Sequence, residues 1–91
     1  MFYIQWEVNM KVKNYIQLEE ALSSDEKIIE LVSSINAVNT IKLKEGQKLI
    51  SNKKNILLSF INGGGIELTG DNEISNISIQ TSPDKRAIYI D

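Results

Sequence analysis

The chain has 91 residues and contains neither cysteine nor histidine. Without cysteine there are no disulfides and no thiolate sites, and any redox compartment is compatible with the chain. Without histidine it lacks the usual general base, the commonest metal ligand and the switch that titrates near neutral pH. Proline and tryptophan occur once each, and Arg86 is the sole arginine. No apolar run approaches the roughly 18 residues that a membrane-spanning helix needs. The opening "MFYIQWEV" has no basic region ahead of an apolar one, so no signal peptide is read. The expectation is a non-exported, cytoplasmic protein or a fragment of a longer exported one. Neither sign of charge dominates, with 10 basic against 12 acidic residues and a formal net charge of −2. Lys53-Lys54 is the longest basic run, and that balance argues against a nucleic-acid partner.

What the chain has instead is isoleucine, 15 of them, with 9 asparagines and 9 lysines, a bias of AT-rich coding sequences. An apolar fraction of 42% with 24% charged residues describes an ordinary globular protein. The length allows one domain, residues 1–91, able to bury about 60–65% of its unfolded surface.

The N-terminal segment, residues 1–13, reads as a half-buried strand. Phe2, Ile4, Trp6, Val8, Met10 and Val12 share one parity, and Tyr3, Gln5, Glu7, Asn9 and Lys11 the other. Residues 14–36 switch to helical spacing, with Ile16, Leu18, Ala21, Leu22, Ile28, Ile29, Leu31, Val32 and Ile35 spaced for an apolar stripe. Asn14 is the expected first N-cap, and Ser23 with Glu26 forms a capping-box pattern for a second helix.

From residue 40 onward the chain repeats. "IKL" at Ile41, "IEL" at Ile66 and "IYI" at Ile88 stand 25 and 22 residues apart. Gly46, Ile50 and Ser51 match Gly70, Ile74 and Ser75 at a shift of 24, while Asn55, Ile56 and Leu58 match Asn76, Ile77 and Ile79 at 21. Self-similarity at this period signals stacked units. The segments are too short for a sandwich, and the turns between them are too short for helical crossovers. A three-sided coil, in which each strand pairs with its counterpart one turn on, satisfies both constraints. Asn55 and Asn76 each precede a strand at a bend that favours positive φ, and stacked they form an asparagine ladder.

The Gly-Asp-Asn turn at 70–72, the coil length and the asparagine ladder resemble the right-handed parallel β-helix proteins of the pectate-lyase-like class, over residues 40–91. The expected fold is mainly β with an N-terminal helical segment. It is a short right-handed parallel β-helix of about two coils and a partial third, capped by one or two amphipathic helices.

The resemblance is nearly silent on function. An enzyme of the lyase or glycosidase kind needs clustered carboxylates with a basic residue. The candidates are Asp71, Glu73, Asp84, Arg86 and Asp91, of which Asp71 is explained by its turn and Arg86 by an exposed loop. "INGGGIE" matches no phosphate- or dinucleotide-binding spacing, and Gly63 to Gly65 read as a flexible bend. No catalytic, cofactor-binding or metal residue is assigned. The expected function is a non-catalytic binding or structural module, carbohydrate-facing or protein-binding. A free-standing interaction protein and a polysaccharide-lyase remnant are the alternatives. Because the coil reaches Asp91 without a capping segment, a homodimer is expected, with Phe2, Trp6, Ile88 and Ile90 as its interaction surface.

Overall fold

The structure is a computed structural model and describes residues 10–62, 64–81 and 88–90. The expected strand over residues 1–9, including Phe2 and Trp6, lies outside the described residues, as do Gly63, Asp84, Arg86 and Asp91.

The described chain is mainly β with one short helix. After β1 (Met10–Val12) comes α1 (Tyr15–Ser23), followed by nine strands. These are β2 (Ile28–Leu31), β3 (Ile35–Ala37), β4 (Ile41–Lys42), β5 (Lys48–Ile50), β6 (Leu57–Phe60), β7 (Ile66–Leu68), β8 (Glu73–Ser75), β9 (Ser78–Gln80) and β10 (Ile88–Ile90). They form three sheets in the orders β1-β2-β5-β8, β3-β6-β9 and β4-β7-β10, and every pairing is parallel. Each sheet takes one strand from each of three successive layers: β2–β4, β5–β7 and β8–β10. The arrangement is β-helix-like, since the parallel partner of a strand is reached by passing through the other two sheets.

The apolar positions face inward as strand alternation requires. Ile29, Leu31, Leu43, Leu49, Leu58 and Ile66 are fully buried. Ile41, Ile66 and Ile88 share one row, and Leu58 lies between Ile35 and Ile79 in another. The first row and the Leu58–Ile79 step match the sequence alignment, whereas Ile35 was expected in a helix.

Two expectations need correction. The segment over 14–36, expected to form one or two capping helices, holds one, and the second helix expected from Ser23 does not form. Asn14 does cap α1, its side chain accepting from the Gln17 N–H at 2.9 Å. Ser24 then ends the helix in extended geometry, donating from Oγ to the Ala21 carbonyl and accepting from the Glu26 N–H. Ser23 and Glu26 therefore start no second helix. "IIEL" is β-rich and too short for its period to be decisive, and pairing with β1 and β5 on both sides makes it a strand. The layered strands thus begin at Ile28, well before residue 40.

The second correction is a register. In the first sheet Leu49 pairs with Ile74 and Ile50 with Ser75, so the shift is 25 rather than 24. A slip of one residue inverts the faces of a strand. The observed register puts fully buried Leu49 beside inward Ile74 and leaves half-buried Ile50 beside Ser75. It also brings Gly46 opposite Asp71, not Gly70. Backbone geometry agrees, for Gly46 has φ 82° and Asp71 φ 52°.

Candidate functional site

The corner between the third and first sheets is where polar side chains converge. Gln47 and Asn72 stand one residue before β5 and β8, directly one layer apart. Gln47 is buried; its Oε1 accepts the Lys44 N–H at 2.7 Å, and its Nε2 donates to the carbonyls of Glu26 (2.9 Å) and Leu22 (3.4 Å). Asn72 repeats the geometry. Its Oδ1 accepts from the Thr69 and Gly70 N–H groups, and its Nδ2 donates to the carbonyls of Lys44 (2.8 Å) and Gln47 (3.0 Å). Each amide closes its own turn and ties it to the layer before. Buried main-chain groups at a tight corner need partners, and these amides provide them.

Asn55 and Asn76, the expected ladder, both adopt φ 60°, the left-handed conformation expected of them. The two stand at the same corner of successive layers, each two residues before its strand in the β6–β9 register. Asn76 Nδ2 donates to the Ser51 carbonyl at 2.9 Å and the Lys53 carbonyl at 3.1 Å, which uses both of its N–H groups on main chain. Gln47 with Asn72 is a second pair of corner amides in register from one layer to the next. Sequence reasoning missed it because a one-residue error in register separated the two positions.

Of the acids considered for catalysis, Asp71 occupies an exposed turn and Glu73 an exposed strand position, where it faces Lys48 with Nζ to Oε1 at 4.0 Å. An exposed pair of this kind contributes at most about 1 kcal/mol. Asp84, Arg86 and Asp91 lie outside the described residues. Among the described residues no three Asp or Glu side chains converge as a metal-ligand group, and no helix is long and apolar enough to cross a membrane.

A cleft of about 460 Å³ opens between α1 and the segment running through β4; Tyr15, Glu19, Asn39, Thr40 and Lys42 are among its lining residues. The Tyr15 hydroxyl meets the Glu19 carboxylate and the Asn39 amide. Burial raises its pKa above the ordinary value, Glu19 raises it further, and Asn39 opposes both. The hydroxyl is therefore a neutral hydrogen-bond donor throughout the physiological range. Lys44 closes the cleft's far end, donating from Nζ to the Ser23 and Ser24 carbonyls at 2.8 and 3.1 Å. A cation there suits the negative end of the helix dipole.

Of the expected interaction surface, Phe2 and Trp6 lie outside the described residues. Ile88 and Ile90 belong to β10, which pairs in parallel with β7 and is an edge strand of its sheet. Among the described residues β8, β9 and β10, the strands of the third layer, are all edge strands. Inward Ile74 and Ile79, with Ile77 beside them, are only partly buried, whereas their counterparts Leu49 and Leu58 are fully enclosed. The opposite end is closed by α1, whose Leu18, Ala21 and Leu22 are buried. No family model, curated protein or solved structure matches the chain.

Proposed function

We propose that the chain is a small non-catalytic binding or structural module, a short right-handed parallel β-helix that associates with a second copy of itself. The observation that carries this reading is the asymmetry of its ends. Among the described residues one end is covered by a helix, and the other presents three strand edges over partly covered isoleucines. Unpaired strand edges invite pairing, and another set of strand edges satisfies them best. A two-fold arrangement closes such an assembly after two copies. The corner polar groups support a structural role, because Gln47, Ser51, Thr69, Asn72, Asn76 and Thr81 all hydrogen-bond main chain of another layer or turn.

Because the chain has no cysteine, a single introduced thiol is unique. Ser75→Cys marks the open end on β8, and Ile16→Cys, 72% exposed on α1, marks the closed one. With a flexible bis-maleimide at micromolar protein, Ser75→Cys is expected to give a covalent dimer and Ile16→Cys to remain monomeric. Equal yields from the two variants, or none from Ser75→Cys, would contradict association through the open end.

A further inference from the structure

Charge is unevenly distributed over the three sheets. The first sheet carries Lys11, Glu30, Lys48 and Glu73, and the third sets Lys42 opposite Glu67. The second sheet carries none. No Asp, Glu, Lys or Arg occurs from Leu31 to Ile41, from Asn55 to Ile66 or from Ile74 to Thr81, in a chain with 10 basic and 12 acidic residues. Each of these segments contributes one strand of that sheet.

Its outer face is built of amides and hydroxyls. Asn36 pairs in register with Ser59, and Ser59 with Gln80, so the three form one row across the strands. Neighbouring strands lie about 4.8 Å apart, which sets the step of the row. Their inward neighbours Ile35, Ala37, Leu58 and Phe60 are buried, which fixes the row outward. The row borders a groove of about 310 Å³ that Ile61 and Thr81 also line. Among the described residues none of the three side chains makes an intramolecular hydrogen bond, in contrast to the corner amides. Beside the row stand Val38, 42% exposed, and Ile61, 64% exposed.

We infer that this face binds a neutral carbohydrate chain. The face offers no charge to an ionic ligand, so the ligand it matches is uncharged. The ligand must also supply many hydroxyls to a linear row of donors and acceptors, and an apolar C–H surface to Val38 and Ile61. A linear glycan without carboxylates or sulfates has both properties and extends along the row. A second copy of this chain fits the face less well. Two exposed aliphatics fall far short of the roughly 800 Å² per partner that a stable protein interface needs. The inference goes beyond the association proposed above, for the face and the open end are different surfaces. A monomer that binds glycan would refute the association and leave this site standing.

The test is native gel electrophoresis of the full chain through gels cast with a soluble neutral glucan, a galactomannan or polygalacturonate. Retardation by one of the neutral polymers is expected, with no retardation by polygalacturonate. Asn36→Ala combined with Gln80→Ala should weaken the retardation about tenfold, equivalent to two neutral hydrogen bonds. Lys48→Ala on the first sheet should leave it unchanged, with circular dichroism confirming that both variants fold. Retardation only by the acidic polymer, retardation by none, or equal retardation of the double variant would overturn the inference. So would a Ser59→Arg variant that changes the mass of the protein in solution without changing its retardation, because the face would then be a contact between protein copies.

Discussion

A methyl group added at Gly64 would lie 2.7 Å from Thr40 Oγ1 and 2.8 Å from the Thr40 nitrogen. The third-sheet corner is thus closed by direct approach of one layer's backbone to the next, and this glycine is there for space rather than flexibility. Gly64→Ala is expected to destabilise the protein by about 1–3 kcal/mol in urea denaturation, the usual cost of overpacking. Gly70→Ala is the control: its added carbon meets nothing closer than Glu45 Cγ at 3.7 Å, and no loss is expected. Equal losses at both positions would refute the close-approach account. Gln47→Leu keeps the bulk but leaves the Lys44 N–H and the Glu26 carbonyl without their partner. A loss of about 1–3 kcal/mol follows from the desolvation of such groups, and a variant as stable as the parent would show that water replaces the amide. Tyr15 adds a pH dependence. Its raised pKa means that the folded state holds the phenolic proton more tightly than the unfolded state. Its stabilising contribution is therefore complete below the unfolded value of about 10 and is lost as the pH rises from there through the folded value. Tyr15→Phe should flatten part of the alkaline fall in melting temperature, and parallel curves for the two proteins would contradict the shift.

The elements differ in how far the sequence reveals them. The internal repeat placed Ile41, Ile66 and Ile88 in one row, and the asparagines that precede its strands placed Asn55 and Asn76 at left-handed corners. β2 and β3 were not legible. Apolar residues at Ile28, Ile29, Leu31, Val32 and Ile35 satisfy a helix as well as strands, and the decision is made by β5 and β6, which pair with them from 20 and 23 residues downstream. The Gln47 amide was equally hidden, for its acceptors Leu22 and Glu26 lie 25 and 21 residues away in sequence. Element position also sets how much a core residue contributes. Leu58 is fully buried in the central strand β6, whereas its partner Ile79 in edge strand β9 is partly exposed. Leu58→Ala should cost about 2–5 kcal/mol, the range for enclosed sites. Ile79→Ala should cost clearly less in the isolated chain, and comparable losses measured by denaturation at low protein concentration would show that the third layer is as enclosed as the second.

For the whole molecule, the contrast between its two ends and between its three faces carries the functional reading. Among the described residues a helix seals one end, strand edges remain at the other, charged rows cover the first and third sheets and an uncharged row covers the second. Of these features the strand edges of β8–β10 carry the proposed association most directly, since they present main-chain edges over partly buried isoleucines. Multi-angle light scattering of the purified 91-residue chain across micromolar concentrations tests it. The account predicts a mass near twice the 10.3 kDa of one chain, falling toward a single chain when Ile79→Lys places a charge on the open end. A mass that stays at 10.3 kDa over the whole range would contradict it.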